Sequence, residues 1–434
     1  MRADELILYK DFDEENEKLL SGMSFLMENG GKVKERYEAD RKKFYDCMKI
    51  LISFSGERGF YGNLWNCFLT YLLVSNENCY STSAEIRGDI SGSINDIALH
   101  DIEIFKEFFD FDFTELCEKL DVKEMKYFLE YEDTDSESKM FNKRIRNRIC
   151  TLAKSLSLCS NAEDMKNTLT DFYMEYGVGK LGLHKAFRVK EENGNAIIDP
   201  IKNIKHVKMD DLVGYEIAKK KLIDNTEAFI EGRAANNCLL YGDAGTGKSS
   251  SIKAIANEYY SKGLRIIEIY KHQFKLLNDV IDQIKKRNYK FIIYMDDLSF
   301  EDFETEYKYL KAVIEGGLEK KPDNVLIYAT SNRRHLIRES FKDKKRLEDD
   351  DIHRSDTVQE KLSLSNRFGV SIYFGAPNQD EYKEIVKELA KREGIDVSEE
   401  VLMQKAIQWE MVHGGLSGRT ARQFVDYVLG TGIE

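Results

Sequence analysis

Gly242-Asp243-Ala244-Gly245-Thr246-Gly247-Lys248-Ser249 is the stretch that decides how this chain is read. It has the Walker A spacing, two glycines followed by Lys and Ser. Glycines at these positions let backbone N–H groups turn inward and form a nest for phosphate oxygens. The helix that follows aims its positive N-terminal end at the same place. Lys248 is long enough to reach β- and γ-phosphates, and the Ser249 hydroxyl suits magnesium. The candidate nucleotide contacts are therefore Gly242, Asp243, Ala244, Gly245, Thr246, Gly247, Lys248, Ser249 and the following Ser250. Such a pattern arises by chance in roughly one to two per cent of chains this long, given average composition, so the flanking sequence has to support it. Cys238-Leu239-Leu240-Tyr241 reads as a buried strand before the loop. Ser249–Lys262 reads as a helix after it, with Ile252, Ile255 and Tyr259 on one face and Gly263 as its stop.

A triphosphate site also needs a carboxylate for the metal. Phe291-Ile292-Ile293-Tyr294-Met295-Asp296-Asp297 is an apolar strand ending in two acids about fifty residues later. Asp296 is the expected magnesium carboxylate, directly or through water, with Ser249 as the other protein ligand. Asp297 is the candidate to orient or deprotonate an attacking water.

Further short apolar runs follow the same alternation with helical stretches: Arg265–Tyr270, Val325–Ala329 and Val370–Phe374. With 238–241 and 291–295 they predict an α/β domain built on a five-stranded parallel sheet between helices. Residues from Gln379 read as three helices, near 379–393, 398–412 and 418–429. Residues 1–180 read as mostly helical. Val33–Ile52 carries Tyr37, Phe44, Met48 and Leu51 at helical spacing, and Asn95–Leu120 is rich in Phe and Leu. The turn signals Glu191-Glu192-Asn193-Gly194-Asn195 and Asp199-Pro200 mark a boundary. The expected organisation is a helical N-terminal domain at 1–180, a linker at 181–205, an α/β core at 206–377 and a helical lid at 378–434.

The net charge is −12, and nearly all of the excess lies in residues 1–200. Such a balance exerts no whole-chain pull on polyanions. Seven cysteines without a close CxxC pair read as small buried hydrophobes in a reducing, cytoplasmic setting. Asp4, Glu5 and Asp11 break up any apolar leader. The apolar run Leu64–Val74 is shorter than the ~20 residues a membrane helix needs, so no membrane association is expected.

Several segments resemble the AAA+ superfamily. Asp211-Leu212-Val213-Gly214-Tyr215-Glu216 is similar to the segment that opens the AAA+ module and lines the adenine pocket, which implicates Val213, Gly214 and Tyr215. Val325–Asn332 resembles the fourth core strand with its polar sensor 1, a role that falls to Asn332. Ser363-Leu364-Ser365-Asn366-Arg367-Phe368-Gly369 resembles the arginine-finger segment and implicates Arg367. Gly414-Gly415-Leu416-Ser417-Gly418-Arg419-Thr420 resembles the start of the sensor 2 helix and implicates Arg419, with Arg422 as the alternative. The stretches NTEAFIEGRAANNCLLYGDAGTGKSSSIKAI and DNVLIYATSNRRHLI resemble a bacterial family of AAA+ ATP-binding proteins of unknown function. The likeness is strong over 180–434 and loose before it.

The resemblance implies an AAA+ core with a C-terminal helical lid, ATP and Mg2+ as cofactors, and a homo-oligomer in which Arg367 serves a neighbour. One departure stands out. The usual acidic pair is Asp-Glu, and here it is Asp296-Asp297, one methylene shorter, with Glu301 as an alternative base. Two readings are carried forward. One is an ATPase that remodels or assembles a macromolecular partner, met through the N-terminal helical domain. The other is an ATP-dependent switch or scaffold with little turnover. A nucleic-acid loader is a third, less favoured reading. Its basic stretch, Arg333-Arg334-His335 with Arg338, Lys342, Lys344, Lys345 and Arg346, is largely cancelled by Glu348-Asp349-Asp350-Asp351.

Overall fold

The structure is a computed structural model, and it describes residues 3–132, 142–201, 204, 206–300, 306–315, 322–333, 336 and 364–432. The chain separates into two compact units, Met1–His184 and Lys185–Glu434. Among the described residues, no helix is long and apolar enough to cross a membrane.

The first unit is helical for local reasons. None of the three prolines falls in it, and several of its helix starts are capped by short polar side chains. Asp13 accepts from the Asn16 N–H, Asn63 from Asn66, and Asn78 forms a capping box with Ser81. The expected helix near 33–52 runs over Tyr37–Arg58 and ends at Gly59 in the left-handed region. The expected 95–120 segment is two helices, Ser93–Phe109 and Thr114–Leu120. The apolar run from Leu64 is a buried helix, Leu64–Ser75, with Trp65 and Phe68 at the centre of an aromatic core.

One carboxylate organises the start of this unit. Asp101 is fully buried and accepts N–H groups from Ile7 (3.0 Å), Leu8 (2.7 Å) and Tyr9 (3.0 Å). Removing it leaves three amides without their acceptor, that of Tyr9 in the buried interior. Asp101→Ala is expected to cost about 3 kcal/mol. The readouts are an earlier unfolding transition and faster amide exchange at Ile7–Tyr9; unchanged exchange there would contradict this account.

The second unit is built on one seven-stranded sheet, ordered β2-β1-β4-β5-β6-β3-β7. The strands are β1 (Ala186–Glu192), β2 (Asn195–Pro200), β3 (Cys238–Gly242), β4 (Leu264–Glu268), β5 (Lys290–Met295), β6 (Val325–Ser331) and β7 (Val370–Phe374). All five strands expected from the sequence are present and parallel. The interval 181–205 is more than a linker. It holds a hairpin, β1–β2, that extends the sheet by two strands, β1 parallel to β4 and β2 antiparallel to β1. Its turn residues Asn193 and Gly194 both have positive φ (52° and 84°), which matches the right-handed twist of a two-residue hairpin. Phe187, Val189, Ala196 and Ile198 bury one face. With only two such apolar residues per strand, the alternation is too short to stand out in sequence. The outer edge is closed by the helix Leu277–Ile284, where Asp279 accepts the Ala196 N–H and Gln283 donates to the Ala196 carbonyl.

The lid consists of helices Gln379–Arg392, Glu399–Val412 and Gly418–Thr431. They pack around Tyr382, Val386, Ala406, Phe424 and Val425.

Candidate functional site

The strand order fixes where a ligand sits. β3 lies between β6 and β7, and β5 lies beyond β6, so the chain crosses over on both sides of β3. The crevice at the C-terminal ends of these strands is the switch point where open α/β sheets bind ligands. A cleft of about 960 Å³ opens there.

The phosphate loop leaves β3 and enters the helix Lys248–Tyr259. Gly242 (φ 134°), Gly245 (φ 78°) and Gly247 (φ 94°) hold conformations that side chains resist. A Cβ at Gly242 would run into the Phe374 carbonyl. Among the described residues, the amides of Ala244 through Ser249 meet no backbone acceptor. The buried Lys248 ammonium donates to the carbonyls of Gly242 (2.9 Å) and Asp243 (2.6 Å). Burial pushes its pKa down, opposed by Asp243, Asp297 and Asp296.

Asp296, at the end of β5, is held by three hydroxyls on one oxygen. Ser249 (2.7 Å), Tyr294 (2.6 Å) and Thr330 (2.6 Å) all donate to its Oδ1. Burial favours the neutral acid, but the hydrogen bonds from Thr330, Tyr294 and Ser249, aided by the charge of Lys253, outweigh it. The carboxyl is therefore held below the usual aspartate value. Asp297 follows in the left-handed region (φ 49°), with its N–H on Thr330 Oγ1 (2.9 Å) and its Oδ1 accepting from Asn332 Nδ2 (2.8 Å).

The lid closes the other side. Arg419 N–H donates to the Gly245 carbonyl (3.1 Å), and a Cβ at Gly245 would press on Ser417. Opposite, Asp243 Oδ2 accepts the Ala376 N–H (2.7 Å). Val213 and Tyr215 line the cleft, Tyr215 with its ring 5.5 Å from that of Phe374. Burial, with Glu381 and Asp243 nearby, pushes the Tyr215 hydroxyl up to about 12.

Of the candidates read from sequence, Ala244 to Ser250, Asp296, Asp297, Asn332, Arg419, Val213 and Tyr215 are brought to one cleft. Gly242 and Asp243 form the base of the loop, and Gly214 does not line the cleft. Arg422 does, paired with Glu393 (2.7 Å) and Asp426 (2.8 Å). Arg367 sits on the turn before β7 and does not line it. Glu301, Arg334, His335 and the charged stretch 337–363 lie outside the described residues. Sequence reasoning missed Tyr294, Thr330 and Arg392. Tyr294 and Thr330 sit inside apolar strands, and only their polar tips distinguish them from core residues.

The order β4-β5-β6-β3-β7, the loop leaving β3, the acids ending β5 and the C-terminal helical lid together define an AAA+-type P-loop core. The chain belongs to the family described as "Protein of unknown function (DUF815)", which matches residues 182–432. It is 39% identical over 74 residues to the replication factor C large subunit of Staphylothermus marinus, a match that spans 17% of each chain. Among solved structures it is similar to a Thermotoga maritima RuvB mutant, at 17% identity and a TM-score of 0.37, over 52% of this chain and 66% of that one. It is also similar to the FIGL-1 AAA domain in complex with ADP, at 18% identity and a TM-score of 0.35, over 52% and 76%.

Proposed function

We propose that this chain binds ATP with magnesium and hydrolyses it to drive remodelling or assembly of a macromolecular partner. The observation that carries the reading is the 2.7 Å contact between Ser249 and Asp296 beside a loop whose amides, among the described residues, meet no backbone acceptor. Hydroxyl and carboxylate are hard oxygen ligands suited to magnesium. Amides left without a backbone acceptor suit the phosphates of a nucleotide. Magnesium, when held by Ser249 and Asp296, would neutralise charge on the β- and γ-phosphates.

The residues of the chain do the rest by position and charge. Lys248 has a third N–H to offer a phosphate oxygen while keeping its two loop carbonyls. Val213 and Tyr215 would cover the base. Asn332 and Asp297 would orient the attacking water, and Arg419 would meet the phosphates from the lid. Arg367 would act on the cleft of a neighbouring copy in a homo-oligomer, and the N-terminal helical unit would meet a protein partner.

A second reading has its own observation. Asp297 is engaged by Asn332 at 2.8 Å and is shorter than the usual glutamate. Both favour an ATP-dependent switch with little turnover. Calorimetric titration of ATP with phosphate release across protein concentrations separates the two. Binding with turnover that climbs steeply with concentration is the expected result. Binding with flat, near-zero turnover selects the switch, and no binding removes both.

A further inference from the structure

We propose that Tyr294 and Thr330 are positioning residues that fix Asp296 for its cation, and that they set how strongly the site takes magnesium. This rests on the reading of Asp296 as the metal carboxylate. A carboxylate oxygen offers about two lone-pair directions. Asp296 Oδ1 already takes three hydroxyl donors, from Ser249, Tyr294 and Thr330. That oxygen is saturated, so Oδ2 is the one left to face a cation or its water.

The three donors are not equivalent. Ser249 is the proposed metal ligand, so its hydroxyl would serve a cation with its lone pairs as well as Oδ1 with its hydrogen. Tyr294 and Thr330 hold Oδ1 in either case. Both are almost fully buried, and they approach from neighbouring strands, β5 and β6. Neither proton has a free choice. Thr330 Oγ1 accepts the Asp297 N–H, so its own hydrogen is directed to Asp296. Tyr294 lies two residues before the carboxylate on the same strand and spends its single O–H on it. The pair thus keeps the carboxylate in place whether Ser249 serves Oδ1 alone or a cation as well. Partners behind a ligating carboxylate commonly change metal affinity by about 10- to 100-fold.

The test is calorimetry with a non-hydrolysable ATP analogue in EDTA and at graded free magnesium, on the full chain. Tyr294→Phe keeps the ring and removes the hydroxyl. It is expected to leave the metal-free affinity of the analogue within about twofold, while the magnesium concentration giving half-maximal tightening rises about 10- to 100-fold. Thr330→Val should shift magnesium dependence in the same direction, and Thr330→Ser should restore it. Wild-type magnesium dependence in Tyr294→Phe overturns the proposal. Equal loss of metal-free and magnesium-dependent affinity in Thr330→Val, unrescued by Thr330→Ser, also overturns it, by marking a packing role. If Tyr294→Phe does not fold, the Thr330 pair decides. A wild-type protein that binds no analogue in either condition fails earlier, at the proposed function.

Discussion

Lys248→Ala is expected to lower ATP affinity by at least about 100-fold, because a buried charge-assisted contact of this kind contributes about 3 kcal/mol. The lysine also bonds the carbonyls of Gly242 and Asp243, so the wild-type loop is shaped by the same ammonium that would meet the phosphate. Removing it takes away both the charge and the brace. Calorimetry on the purified variant checks this, with circular dichroism to confirm that the sheet has formed. Unaltered ATP affinity in a folded Lys248→Ala protein would refute the site.

Arg367→Ala is expected to behave in the opposite way, with ATP binding kept and turnover reduced by about 10³-fold or more, the range for arginine fingers supplied in trans. Its place on the turn before β7, away from the cleft of its own chain, is what a group serving a neighbour requires. The decisive measurement mixes Arg367→Ala with Lys248→Ala. An arginine acting in trans lets the first protein's intact cleft be completed by the second protein's Arg367, so turnover returns on mixing. Full turnover by Arg367→Ala alone would remove the finger.

Much of this architecture is legible in sequence because its signals are local. The glycine spacing of the phosphate loop, the apolar run ending in two acids and the helical periods of the lid each lie within one short segment. The hairpin β1–β2 is not legible in the same way. It buries one face only, with just Phe187 and Val189 inward on the first strand before Glu191 takes the next inward position, so the turn reads clearly and its flanks do not. The clamp on Asp296 is hidden for a different reason. Tyr294 and Thr330 are separated by 36 residues and meet only because β5 and β6 are neighbours. Nothing in either strand alone tells their hydroxyls from those of ordinary core residues. Arg367 came from likeness to a motif, and a motif carries no information about which copy of the chain it faces.

The phosphate loop is stitched at alternate residues, Asp243 to the Ala376 amide just before the lid and Gly245 to the Arg419 amide at the start of the lid's last helix. A loop that rearranged around a departing phosphate would pull on the entry to the lid and on the start of its last helix together, much as a crank turns a shaft gripped at two points. Stroke length would then be set within three consecutive residues, and slack introduced at either stitch would let chemistry run without motion.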